Sequence, residues 1–317
     1  MENLDNVLDK LKKAINTTTG ADLIRENLSG YIDKLAYKET PIRDRLMRKP
    51  GSGKAATWNV LTAIGTGNSA FTEGGTPNED DATYDQRSAI YKELGKTKTI
   101  TDRQIAAGDS FIDQEAHQTE VAMHEVLQDE EVYIVSGNAT TAPLQFDGID
   151  TYITTNIIDD NNNAIGFRTD LLDEAVQTLV ETYGVRPTAI YCSFGMKRAI
   201  NQALNGNLRV ELSNTNTPTA GVDVVFYQSM IGKLPIIAST AITNDSTTYT
   251  PNVVGDIYVV TEMSVGQPVL YMEDLYPLSK IQLARTGAGV KFMVTEATVL
   301  VCRAEEMQVK ISNVRIS

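Results

Sequence analysis

The chain is poor in the residues that usually carry chemistry. Among its 317 residues there are two histidines, two cysteines and one tryptophan. Cys192 and Cys302 show no pairing pattern, so free thiols and a reducing compartment are expected. No apolar run approaches the roughly 20 residues that cross a bilayer, and no membrane partner is expected. The opening stretch, MENLDNVLDKLKKAINTTTG, lacks the apolar segment and small-residue cleavage site of a signal peptide, which points to a chain made in a cytosol. One sign of charge is also missing locally. Between Gln104 and Phe167 there is no lysine or arginine, while the same segment holds 12 acids from Asp109 to Asp160.

What is present is enough for a folded protein. With 42% hydrophobic and 22% charged residues the chain can bury a core, and its length suits about two domains. The net charge of −13 is unevenly placed: Lys34 to Lys54 carries seven basic residues against Glu39 and Asp44. Two solvated faces of opposite sign would explain this, as would the basic segment of one subunit meeting the acidic segment of another. Nucleic-acid binding by the whole chain is not expected, because phosphate contacts need a concentrated basic surface.

The periodicities give an order of elements. Leu4, Val7, Leu8, Leu11 and Ile15 predict an amphipathic helix, followed by a second over residues 21–36. Pro41 and Pro50-Gly51 bracket a basic connector. Strands at Thr57–Leu61 and around Tyr84 to Tyr91 predict a hairpin whose tip, Gly65 to Ala82, is turn-rich and acidic. A long helix is expected from Asp109 or Ser110, as its cap, to Gly137. Pro143 to Ile153 reads as a turn into a short strand. A mixed α/β unit follows, with helices at Thr169–Tyr183 and Phe194–Leu204 and strands at Thr188–Ser193, near Val210, at Val222–Tyr227 and at Leu234–Ala238. The last third reads as strands: Asp256–Thr261, Val269–Met272, Ile281–Arg285, Val290–Cys302 and Met307–Val314.

Chemical motifs are weak throughout. Gly95-Lys96-Thr97 ends like a phosphate loop, but Ile90 stands where the first glycine is needed. His117 and His124 pair at i,i+4 with Asp113 and Glu120, yet the Glu-x-x-His spacing of a bundle metal site is absent. Both sit in an acidic helix, and no G-x-S-x-G elbow occurs, so a nucleophilic hydrolase is not supported. Asp159 to Asn163 lacks the glycine and distal glutamate of an EF-hand loop. No catalytic, cofactor or metal residue is expected.

The order of these elements carries more information than any motif. Phe71-Thr72-Glu73-Gly74-Gly75-Thr76-Pro77 with Tyr91-Lys92-Glu93-Leu94-Gly95, then Gln145-Phe146-Asp147-Gly148-Ile149, then Pro235-Ile236-Ile237-Ala238-Ser239, resembles the major capsid proteins of tailed bacteriophages. The first pair is similar to that family's extended loop, the second to its Phe-Asp-Gly-Leu turn, and the third to a strand of its axial domain. The resemblance implies an α+β chain with the Hong Kong 97-type capsid fold. It divides the sequence into an N-terminal arm (1–53), an extended hairpin loop (54–103), a peripheral domain with a long spine helix (104–164 and 261–317) and an α/β axial domain (165–260).

It further implies self-assembly as pentamers and hexamers into an icosahedral shell around double-stranded DNA, without sequence-specific binding. The expected partners are other copies of the chain, a separate scaffolding protein and a portal protein, with the product located in the virion capsid after assembly in the host cytoplasm. Expected inter-subunit contacts are Arg43, Arg45 and Arg48 in the arm, Phe71, Glu73, Tyr91 and Lys92 in the hairpin region, and Glu120 and Glu130 on the helix. Some relatives crosslink a hairpin lysine, and nothing marks Lys54, Lys92, Lys96 or Lys98 as reactive. An encapsulin-like shell, a tail or surface-layer assembly and an enzyme built on the α/β unit are the competing readings.

Overall fold

The computed structural model describes residues 38–65, 67, 69–108, 113–159, 165–204, 225–249, 252–285 and 287–316. The two predicted N-terminal helices, the strand near Val210 and the helix cap at Asp109 or Ser110 lie outside these residues, as does most of the Asp159–Asn163 loop.

The stretch read as a connector is ordered. Pro41 occupies the start of a short helix, α1 (Pro41–Arg45), where its fixed φ and missing N–H do no harm. A three-residue strand, β1 (Arg48–Pro50), follows. β2 (Ala55–Ala63) and β3 (Thr83–Ile90) form a two-stranded antiparallel sheet of their own, Ala55 facing Ile90 and Ala63 facing Thr83. At Tyr91 the chain leaves the hairpin, and β4 (Lys92–Thr101) enters a different sheet. Gly95-Lys96-Thr97 therefore lies inside a strand.

After α2 (Asp102–Gly108) comes the long helix α3 (Gln114–Ser136). Its N-cap is Asp113, whose carboxylate accepts from the amides of Glu115 at 3.0 Å and Ala116 at 3.1 Å. Its C-cap is Gly137, as the sequence suggested. The expected strand after Pro143 is instead one helical turn, α4 (Ile149–Tyr152).

The α/β unit contains β5 (Ile157–Ile158), β6 (Ile165–Gly166), α5 (Thr169–Tyr183), β7 (Ala189–Cys192), α6 (Phe194–Leu204), β8 (Phe226–Ser229), β9 (Gly232–Ala238) and β10 (Val254–Val260). α5 buries Leu171, Leu172, Ala175, Val176 and Leu179 and stops at Gly184, where φ is 66°. A small hairpin, β11 (Met263–Ser264) and β12 (Gln267–Pro268), leads to two 14-residue strands, β13 (Leu270–Leu283) and β14 (Gly289–Cys302), and then to β15 (Val309–Arg315).

Two sheets organise the molecule. One has the order β1-β13-β14-β4; the other runs β5-β15-β10-β7-β9-β8, with β6 also pairing β15. The strands expected at Val269–Met272 and Ile281–Arg285 are two ends of β13. Pro277, between them, falls where the pairing with β14 shifts register between Tyr276 and Ser279, so its missing N–H interrupts no ladder. β15 lies between β10 and β5 and buries Val309, Ile311 and Val314 among the residues of α5 and α6. The α/β sheet thus takes in strands from outside the 165–260 span expected for it. A second core joins α1, the root of β2, α3, β10, β13 and β14 through Ile42, Trp58, Val126, Ile134, Tyr258, Leu270 and Leu300.

Candidate assembly site

The segregated charges of the sequence meet within one chain. α3 lies on β4 and β14, and its acids face basic residues of its own subunit. Lys98 pairs with Glu125, Lys96 with Asp129 and Lys280 with Glu115, each at 2.7 Å. These pairs are partly exposed and are worth little singly. They nevertheless set a cation from the underlying strands beside each of three acids of a helix that has no lysine or arginine of its own.

The described part of the arm, residues 38–53, is held by a more buried set. Arg43 Nε donates to Glu130 Oε2, and Arg48 Nη2 donates to Glu130 Oε1. Arg48 Nη1 also donates to Asp274 Oδ1 at 2.9 Å and Oδ2 at 3.0 Å. Glu130 is 0% exposed, so one fully buried carboxylate binds two arm guanidiniums. The neighbouring Glu131, equally hidden, accepts from the amides of Ile42 at 3.2 Å and Arg43 at 2.7 Å and from Ser239 Oγ at 2.8 Å. Burial pushes the Glu131 carboxyl up, while these hydrogen bonds work against the shift. Ile42 and Leu46 are buried beneath the arm, and Arg45 reaches Glu262, which also accepts from Tyr191 Oη.

The hairpin has an anchored root and a free tip. On β2 the inward positions Ala56 and Trp58 are buried, and Trp58 Nε1 donates to the carbonyl of Arg303 at 3.2 Å. Across the pair, Arg87 binds Glu306 at 3.2 Å. From Leu61 onward the alternation stops and every described residue to Gln86 is exposed. That stretch includes Ile64, Phe71 at 59% and Tyr84 at 71%. Beside the root, Val60, Leu61, Pro268, Val269 and Met307 help line a groove of about 410 Å³.

The Phe-Asp-Gly-Ile turn closes the other end of α3. Phe146 is buried edge-to-face on Tyr133, with centroids 6.2 Å apart. Asp147 accepts from the Ala139 amide at 2.8 Å, and the Gly148 amide donates to the Gly137 carbonyl at 2.8 Å. A Cβ on Gly148 would lie 2.6 Å from the carbonyl oxygen of Tyr133, so this position requires glycine for space.

The residues expected at subunit contacts therefore divide. Arg43, Arg45, Arg48 and Glu130 are engaged inside the chain, and the pairing expected between subunits is found within one. Tyr91 is turned inward as well, donating to Glu273. Lys92 donates to the carbonyl of Pro143 at 2.6 Å. Phe71 and Glu73 are exposed on the tip, and Glu120 is half-buried on α3. Glu131, Asp274 and Glu296 join this cluster without a motif to announce them. Their only signal is an acid within or beside an otherwise apolar run, which does not reveal its partner.

A shell protein's subunit is defined by this arrangement: a spine helix across a long sheet, a separate α/β unit, and a hairpin that projects beyond its own core. It is the Hong Kong 97-type capsid fold. The profile of the SU10 major capsid protein matches residues 14–315, and the chain belongs to that family. Its structure is similar to the capsid of a native GTA particle, with TM-score 0.70 and 13% identity over 96% of this chain and 99% of that one. It is also similar to a chain of Gordonia phage Cozz, at TM-score 0.63 and 14% identity over 93% of each. The holo-SrpI encapsulin complex of Synechococcus elongatus PCC 7942 aligns at TM-score 0.65 and 12% identity, over 96% and 97%. No curated protein matches the sequence. The protein is a capsid shell-forming subunit.

Proposed function

We propose that the chain closes as pentamers and hexamers into an icosahedral shell around double-stranded DNA, with the β2–β3 hairpin of each subunit laid on its neighbour. The observation that carries this reading is the free hairpin: from Leu61 to Gln86 every described residue is exposed, and Leu61, Ile64, Phe71 and Tyr84 face solvent. A two-stranded hairpin alone is marginal in water, and an open strand edge invites pairing with another chain. Phe71 and Glu73, exposed on the tip, are the leading candidates for subunit contacts; Lys92 and Glu120, each with a partner in its own chain, are secondary ones.

The role is structural rather than catalytic. DNA is enclosed without sequence recognition, a separate scaffolding protein and a portal protein complete the particle, and assembly takes place in the host cytoplasm. The likeness to an encapsulin favours a second reading, a protein-filled compartment. The nucleic-acid content of purified particles separates the two.

The test is to replace residues 65–82 by an Asn-Gly turn. Closure entropy grows slowly with loop length, so the subunit should keep its melting transition. The expected product is soluble subunits or capsomers without closed shells. Normal shells from the shortened chain would remove the hairpin from the assembly contact. Loss of the subunit's own melting transition would place the tip in a core.

A further inference from the structure

Glu296 lies on β14 and is 1% exposed, yet neither of its carboxylate oxygens has a hydrogen-bond partner among the described residues. The charged groups that act on it most strongly are Arg43 on α1, Arg48 on β1, Glu130 on α3 and Asp274 on β13, which are bonded to one another. On the adjoining strand β4, Lys96 is engaged by Asp129. Glu131 is turned to the α1 amides, and Asp274 also accepts from Thr298 Oγ1 at 2.7 Å. The two arm guanidiniums are thus matched by two carboxylates, Glu130 and Asp274, already bonded to them. A third carboxylate would leave an uncompensated negative charge in the interior, which is strongly unfavourable.

We propose that Glu296 is a proton-binding site that couples docking of the arm to proton uptake: docked, the cluster is neutral because Glu296 carries a proton; undocked, water reaches Glu296 and the proton leaves. In the docked chain the carboxyl is pushed up to about 7, by burial first and Glu130 next, against the pull of Arg48 and Arg43. A group raised above its solvent-exposed value contributes its full stabilisation below that value, near 4.5, and loses it as pH rises to about 7. Docking should therefore weaken by up to about tenfold per pH unit inside that window and level off above it.

Hydrogen exchange read by mass spectrometry on the purified protein, corrected for intrinsic rates, tests this at the amides of Ile42 and Arg43, which the docked arm gives to Glu131. Between about pH 5 and about pH 8, wild-type protection should fall with the stated slope and then flatten. In Glu296→Gln and Glu296→Leu, which keep the site neutral, protection should stay high and the slope should shrink to what Glu131, itself raised by burial, contributes. A wild-type profile flat across this range would overturn the proposal, even if both variants failed to fold. Equal slopes in wild type and variants would also overturn it, as would variants unprotected at every pH, since Glu296 would then be holding the arginines as an anion.

Discussion

Glu130 is the residue on which the arm depends. It is buried with two guanidiniums bound to it, so Glu130→Ala would remove the carboxylate they share and leave Arg48 only Asp274 and Arg43 only the exposed Asp44. Removing one member of such a set typically costs about 3–5 kcal/mol, far more than an exposed pair is worth. Thermal denaturation should show a large drop in the melting temperature, with the arm becoming sensitive to protease. The same reasoning changes the expectation for Arg43, Arg45 and Arg48. Reversing all three to glutamate places new acids against Glu130, Asp274 and Glu262, and the subunit itself should lose stability before assembly is reached.

A second residue offers the opposite sign. Val265, at the tip of the β11–β12 hairpin, has φ of 47° and is 100% exposed. With Gly266 at φ 75° it forms a turn in which asparagine is favoured and a β-branched side chain is strained. Val265→Asn should raise stability by about 1 kcal/mol, read as a higher melting temperature. An unchanged or lower value would show that the valine makes contacts that offset its strain.

At the scale of elements, the packing of the Phe-Asp-Gly-Ile turn on α3 sets the end of the spine. Gly148→Ala would drive its Cβ against the backbone oxygens of Tyr133 and Val135, at 2.6 and 2.7 Å, where no flexible side chain can give way. The variant should unfold several degrees lower or express as insoluble protein, whereas Gly287→Ala, with open space around it, should not. The periodic elements were legible in the sequence because their signals are local. The stripe Leu171, Leu172, Ala175, Val176 and Leu179 reads as a buried helix face, and the run Ala189–Cys192 as a buried strand. β13 reads as two strands, Val269–Met272 and Ile281–Arg285, because the continuity between them, through Pro277, depends on a register shift set by the partner strand. β15 was grouped with its sequence neighbours because strand order is a property of the sheet. The charge cluster shows the same limit at longer range. Unequal charge was visible along the chain, but whether its halves meet within or between subunits depends on where α3 lies.

For the molecule as a whole, the division between what is satisfied inside the subunit and what is left open is the central physical statement. The described part of the arm (38–53), the spine and the hairpin root are closed by buried ions, buried apolar residues and the Trp58 and Arg87 contacts. The hairpin tip is left open, and a repeated neighbour is the simplest surface to receive it. Substituting Phe71 and Tyr84 together by serine should leave the subunit melt unchanged, since neither is buried in it, while lowering the yield of closed particles on gradients. A fall in subunit stability would mean that the two rings already pack on their own chain.

The most direct measurement is electron cryomicroscopy of particles assembled from this chain, at a resolution that traces the hairpin. Closed shells are expected, built from rings of five and six copies, with residues 61–84 of each subunit lying on the adjacent subunit. Tubes, flat arrays, or shells in which that hairpin folds back on its own subunit would contradict it.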